Sequence, residues 1–223
     1  VRNRGICSPA ERVVFFVVRV DSESQSPFSA ALLAGGKSSR MGSDKAAVEI
    51  GGEPLWRHQL GTLRAVGPRE ILISGKVDGP YAGAGVEIVR DTIPDCGPLS
   101  GIEAVLARAA HPLVLVLAID LPAMTAEFLR AVVKEAHDRR CGVVLHRCAR
   151  FEPLAAVYPQ GALPLARECL RSGDCSLQNF VRLAIGQGLL HTREPRLDEE
   201  RLFLNLNTLT DLPDARGGAR GNG

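Results

Sequence analysis

Residues 28–45 read FSAALLAGGKSSRMGSDK, an apolar run that breaks at two glycines and turns into a polar, cationic stretch. Phe28–Ala34 has the length and apolar density of a buried strand. Gly35-Gly36 ends it with backbone that turns sharply and lets a ligand approach closely. A strand that sheds such a loop from its carboxyl end predicts an open α/β sheet, in which ligands gather outside the strand ends.

The alternation of strand and helix continues downstream. Past Gly51-Gly52, Pro54 suits a first helical turn, and Trp56, Leu60 and Leu63 share one face through to about Val66. Arg69–Ser74 (REILIS) and Val86–Arg90 (VEIVR) predict the second and third strands, the third running into Asp91. Leu99, Ile102 and Leu106 mark a helix after the Gly97-Pro98 turn. Leu113–Ile119 (LVLVLAI) is aliphatic throughout, as a central parallel strand covered on both faces requires, and Asp120 follows it. Thr125 suits the cap of a helix that turns Phe128, Val132 and Ala136 inward. Cys141–Leu145 and Leu154–Tyr158 predict later strands, 162–172 and 176–186 helices, and Leu202–Leu206 a final strand.

The chain has 223 residues, 45% of them apolar, enough for one substantial core, here assigned to 27–213. Its 27 basic and 25 acidic residues leave a net charge of +2, too even for a nucleic-acid-wrapping protein or a polybasic membrane binder. Small anionic ligands remain compatible with it. The six cysteines, Cys7, Cys96, Cys141, Cys148, Cys169 and Cys175, form no Cys-x-x-Cys pair, which fits free thiols in a reducing cytoplasm better than a zinc site. Val13–Val20 (VVFFVVRV) is apolar but no small-residue cleavage site follows it, so export is not expected. Residues 1–26 read as an extension or accessory strand, and 214–223 (DARGGARGNG) as a flexible tail.

Chemistry concentrates at the expected strand ends. The loop after the first strand combines three glycines with Arg40 and Lys45, a composition that presents backbone N–H groups and positive charge to phosphate oxygens. A plain strand-to-helix turn is the structural alternative. The P-loop spacing fails, because the residue five before Gly36 is Ala31, and the dinucleotide fingerprint fails because Gly35 and Gly36 are adjacent. Asp91 and Asp120 end buried strands, where a carboxylate either caps the next turn or binds a cation; a hard cation bridging to triphosphate oxygens would offset its desolvation. The five histidines are scattered and assemble no Ser-His-Asp or metallohydrolase motif.

The stretch LAGGKSSRMGSDKA at 33–46 resembles the signature of the molybdenum-cofactor guanylyltransferases. The likeness continues, in order, through GGEPLWRH at 51–58, DTIPDCGPLSGI at 91–102, LAIDLP at 117–122, RFEPLAAVYP at 150–159 and FLNLNTLTDL at 203–212. It implies a single-domain, three-layer, Rossmann-like nucleotidyltransferase fold with a mostly parallel central sheet. It also implies transfer of GMP from GTP to the phosphate of molybdenum-molybdopterin, with release of pyrophosphate.

Carried over by position, the resemblance makes Leu33, Ala34, Gly35, Asp91 and Asp120 GTP contacts and Lys45 a phosphate contact. Asp120 would hold Mg²⁺, and Asn205 and Asn207 would face molybdopterin, their amides matching the donors and acceptors of a pterin edge. Arg40, Lys45 and Asp120 form the expected catalytic set. Gly97, Pro98 and Gly101 match a turn beside the nucleotide. Ser74 stands where the family often has a nucleotide-binding asparagine, a departure that bears on affinity and base preference. Implied partners are transient ones, molybdopterin-delivery proteins or acceptor molybdoenzymes. Two alternatives stay open: a cytidylyltransferase on the same scaffold, although Leu-Ala-Gly-Gly favours the guanylyl branch, and a non-catalytic carrier of nucleotide and molybdopterin.

Overall fold

The computed structural model describes residues 26–35, 46, 48–94 and 96–204. Along the chain lie β1 (Ser29–Leu33), β2 (Glu49–Ile50), β3 (Glu53–Pro54), α1 (Leu55–Val66), β4 (Glu70–Ser74), β5 (Glu87–Val89) and α2 (Pro98–Arg108). They are followed by β6 (Leu113–Ala118), α3 (Ala126–Arg139), β7 (Gly142–Arg147), β8 (Arg150–Pro159), α4 (Leu163–Arg171), α5 (Leu177–Gly186) and β9 (Leu190–Arg193). Seven strands form one sheet in the order β5-β4-β1-β6-β8-β7-β9, parallel except for β8, which is antiparallel to both neighbours. The strand order reverses between β1 and β6, and that switch point opens a crevice at the carboxyl ends of the strands.

The sheet is buried on both faces, which is why β1 and β6 are apolar at successive rather than alternate positions. Leu32, Leu117 and Val143 meet Trp56, Leu60 and Leu63 of α1 and Phe128, Leu129 and Val132 of α3 on one side. Leu33, Val116 and Tyr158 meet Leu99, Ile102 and Val105 of α2, Leu165 of α4 and Phe180 of α5 on the other. Helix, sheet and helix make three layers, in agreement with the fold class the sequence implies. The Thr125 hydroxyl accepts the Phe128 N–H at 3.3 Å and so caps α3 as its residue type predicts.

One expected strand, Leu202–Leu206, is not formed among the described residues. Glu200–Phe203 is a short 3₁₀ turn, closed by Leu202 N–H donating to the Glu199 carbonyl, and residues 205–206 lie outside the described residues. Its apolar side chains are buried by a helix rather than by a neighbouring strand, since Phe203 packs edge-on against Phe128 at 5.6 Å. The sheet edge is taken instead by β9, beside β7. A small antiparallel ribbon, β2 with β3, precedes α1; its Gly51-Gly52 link has both residues at positive φ, the requirement of a tight two-residue hairpin.

Candidate functional site

Register aligns the site. Leu33 of β1 pairs with Ser74 of β4 and with Ala118 of β6, and Ser74 pairs with Val89 of β5, so these four residues form one row across the sheet. Two residues beyond that row along each chain stand Asp120, Gly35, Lys76 and Asp91. The parallel pairing that the buried aliphatic strands impose therefore brings three expected nucleotide contacts to one edge. It adds an exposed lysine, Lys76, which no sequence motif singled out.

The end of β1 is fastened on both sides. The N–H groups of Ala34 and Gly35 both donate to the Ser74 carbonyl, at 2.9 and 3.0 Å, and the Leu33 carbonyl accepts the Ile119 N–H at 3.1 Å. Ala34 and Gly35 therefore offer a ligand carbonyl groups, not amides. Arg40 and Lys45, expected in the phosphate loop, and Asn205 and Asn207, expected on the acceptor side, lie outside the described residues.

Asp91 sits between two glycines. Its Oδ1 accepts the Ser74 hydroxyl at 2.9 Å. A Cβ on Gly35 would come to 3.7 Å from Asp91 Oδ2, and one on Gly101 to 2.6 Å from Ser74 Oγ, so Gly101 in α2 leaves the space the Ser74 hydroxyl occupies. Burial raises the Asp91 carboxyl above its ordinary value, and the Ser74 hydrogen bond partly opposes that rise. Ser74 is itself 1% exposed, with its hydroxyl turned to Asp91.

The Asp120 turn is held from below by α1. Gln59, fully buried, donates from Nε2 to the carbonyls of Leu121 at 2.7 Å and Ala118 at 3.3 Å, and His58 Nε2 lies 3.2 Å from the Pro122 carbonyl. Gln59 goes unmarked in the sequence, because a glutamine on a helix gives no sign of what its amide will reach. Tyr81 does similar service at β4: its buried hydroxyl accepts the Lys76 N–H at 2.7 Å.

Magnesium fits this donor set. Asp120 is a hard oxygen donor, partly exposed at the strand end, and no group of three His, Cys, Asp or Glu side chains converges among the described residues. Mg²⁺ needs no such cage, since it is commonly held by one or two carboxylates and completed by substrate phosphates and water.

A second concavity adjoins this edge. The last β6–β8 pair is Leu117 with Ala155; three residues further along each chain lie Asp120 and Glu152. There the start of β8, the end of β7 and the amino end of α5 enclose a cavity of about 580 Å³, lined by Arg147, Arg150, Phe151, Glu152, Leu177, Gln178 and Pro98, among others. That volume is in the usual range for a small-molecule site, roughly 300–1,000 Å³. The hairpin tip that flanks it, Cys148-Ala149, has φ of 49° and 61° without a glycine. Arg147 is compensated by Glu152 at 2.8 Å and Glu200 at 3.4 Å, and lies over the Phe203 ring. Arg150 has no carboxylate partner among the described residues.

This geometry has relatives. Residues 30–189 match the family model described as MobA-like NTP transferase domain. The chain is 37% identical over 169 residues to a protein of Opitutus terrae named probable molybdenum cofactor guanylyltransferase, covering 74% of this chain and 83% of that one. It is 30% identical over 190 residues to the molybdenum cofactor guanylyltransferase of Pseudomonas putida, covering 84% and 97%. Among solved structures, molybdopterin-guanine dinucleotide biosynthesis protein A of Archaeoglobus fulgidus superposes with a TM-score of 0.67 at 23% identity, over 82% of this chain and 94% of that one. A 2-C-methyl-D-erythritol 4-phosphate cytidylyltransferase of Thermus thermophilus shares the fold at a TM-score of 0.60 and 17% identity, over 82% and 94%. With its switch-point site and a family match over most of its length, this chain belongs to the MobA-like NTP transferases and is a nucleotidyltransferase.

Proposed function

We propose that this enzyme transfers GMP from GTP to the terminal phosphate of molybdenum-molybdopterin and releases pyrophosphate. The observation that carries the reading is the pairing of a switch-point edge bearing Gly35, Asp91 and Asp120 with a separate, arginine-lined cavity beside it. A transfer between two anionic substrates needs two such adjoining sites. The names of the relatives in Opitutus and Pseudomonas support guanine and molybdopterin as the two partners. Backbone carbonyls at Ala34 and Gly35 favour the same base, because guanine presents N1–H and N2–H donors on one edge.

In this reading GTP lies across the carboxyl ends of β1, β4 and β5, and the acceptor occupies the cavity at β7 and β8, with its phosphate toward Asp120. Arg150, which has no carboxylate partner among the described residues, attracts and orients that phosphate at the cavity wall. A phosphate oxygen attacks the α-phosphorus; the new P–O bond forms as the bond to the bridging oxygen breaks, and pyrophosphate leaves. The acceptor phosphate is already anionic near neutrality, so no strong general base is required. Gly35 admits the nucleotide near the Asp91 carboxylate, and Gln59 fixes the backbone on which Asp120 stands. Arg40 and Lys45 are assigned to the triphosphate, Asn205 and Asn207 to the pterin. Asp120 would hold Mg²⁺, which when bound offsets the charge of the triphosphate and of the departing pyrophosphate.

The test is a panel: purified protein, Mg²⁺ and molybdate-loaded molybdopterin with GTP, CTP or ATP, scored for pyrophosphate and for the dinucleotide. Product with GTP alone is expected. Product with CTP reassigns the base, and binding without pyrophosphate release from any nucleotide identifies a carrier. Asp120→Ala is expected to stay folded and lose Mg²⁺-dependent turnover; unchanged turnover removes Asp120 from the mechanism.

A further inference from the structure

The start of β8, which walls the acceptor cavity, is not held by the sheet alone. β8 spans Arg150–Pro159, but its pairing with β6 ends at Leu117 with Ala155, and its register with β7 shifts between Val143 and Leu145. Its first residues therefore run beyond β6, with β7 as their one neighbouring strand. Backbone groups there that face away from β7 need another partner.

A side chain takes the place of the missing strand. Gln178, in the first turn of α5, accepts the Phe151 N–H at Oε1 at 3.0 Å and donates from Nε2 to the Phe151 carbonyl at 2.9 Å. A carboxamide carries the donor and acceptor of a peptide group, and here it satisfies both polar groups of one strand residue. Two residues on, Pro153 has no N–H to satisfy, and its carbonyl accepts the hydroxyl of buried Tyr158 at 2.8 Å.

The helix that carries Gln178 is itself fixed. Ser176 Oγ accepts the Asn179 N–H at 3.3 Å and caps α5, the Ser176 N–H donates to Asp174 at 3.0 Å, and buried Phe180 stacks on Tyr158 at 5.9 Å. Gln178 thus ties an anchored helix to the residue between Arg150 and Glu152, all four of which line the cavity. Successive strand side chains alternate, so Arg150 and Glu152 share a face. Arg147, the register partner of Arg150, is taken up by Glu152 at 2.8 Å, and Arg150 is the cation left to an incoming anion.

We propose that Gln178 is a positioning residue for the acceptor: by clamping the Phe151 backbone it fixes the Arg150 guanidinium at the cavity wall. The part played by Arg150 rests on the function proposed above; the clamp on Phe151 does not. Without the clamp the two Phe151 groups turn to water, β7 alone holds the start of β8, and Arg150 loses its fixed approach to the phosphate.

Steady-state kinetics of Gln178→Met, Arg150→Ala and the double variant, with each substrate varied in turn, test the proposal. Gln178→Met keeps the length of the side chain and removes both hydrogen bonds. It should raise the acceptor KM about tenfold and leave the GTP KM within about twofold. In the Arg150→Ala background the same substitution should add less than about twofold, because the group it would misplace is gone. An acceptor KM unmoved by Gln178→Met, or raised by the same factor with and without Arg150, overturns the proposal. Where thermal unfolding shows that Gln178→Met does not fold, Gln178→Asn carries the same cycle, since it is polar but one methylene too short for the two bonds. An unaltered acceptor KM in Arg150→Ala removes the acceptor from this cavity and with it the proposed placement of the substrates; a raised one beside an inert Gln178→Met removes the positioning role alone.

Discussion

The Ser74 hydroxyl donates to Asp91 Oδ1 at 2.9 Å, and this bond works against burial in how readily Asp91 ionises. Burial raises the Asp91 carboxyl and the bond lowers it, with burial the larger cause. The folded chain therefore holds this proton to higher pH than the unfolded one does. Protonated Asp91 contributes stability that is fully present below the ordinary carboxylate value and is lost as pH rises through the raised one. Ser74→Ala removes the opposing bond, so the acid limb of kcat/KM should move to higher pH while the alkaline limb stays. A pH–rate profile checks this; an acid limb left in place takes Asp91 ionisation out of the reaction.

Gly101 leaves the space that this same hydroxyl occupies, since an added Cβ would lie 2.6 Å from Ser74 Oγ. Gly101→Ala gains about 1 kcal/mol of helix propensity but overpacks a buried contact at a cost of about 1–3 kcal/mol. A net loss of stability is expected, with an acid limb displaced as in Ser74→Ala. The double variant should recover part of the loss, because the offending atom is gone. Denaturant unfolding of the four proteins of this cycle measures it, and strictly additive effects contradict the contact.

Much of this arrangement is legible in the chain. LVLVLAI at 113–119 announces a central strand, and Asp91 and Asp120 follow their strands as written, so their meeting at one edge follows once the strands are parallel. What sequence hides is contact at long range. Gln59 reaches the Asp120 turn, at Leu121 62 positions away, through packing that local pattern does not encode. Leu202 and Phe203 misled for the converse reason: an apolar pair looks the same whether a strand or a helix buries it, and Phe128 does so here.

Gln59 is the support whose loss should separate positioning from binding. Gln59→Leu leaves buried carbonyls at Ala118 and Leu121 without their donor, at a cost of about 1–3 kcal/mol, partly offset because Gln59 Oε1 has no partner among the described residues. The turn that carries Asp120 then loses its tether to α1. A fall in kcat of about tenfold or more with little change in the KM for either substrate is expected, the pattern of a displaced reacting geometry. Thermal unfolding of the same variant shows whether the fold survives. Wild-type kcat in a destabilised protein would make Gln59 structural only.

Arg150 tests the second substrate's place. Arg147, facing it across the hairpin, is already neutralised by Glu152 and Glu200, so its removal should chiefly disturb the packing over Phe203. Arg150 lacks such a partner among the described residues, and its charge is available to an anion in the cavity. Arg150→Ala should raise the acceptor KM by about 10- to 100-fold, the effect of losing one charged hydrogen bond, and leave the KM for GTP within about twofold. Arg150→Lys should restore part of the affinity, because charge returns without the planar fork. Steady-state kinetics with each substrate varied in turn reads both constants. If the GTP constant moves and the acceptor constant does not, the cavity belongs to the nucleotide and the two substrates exchange sides.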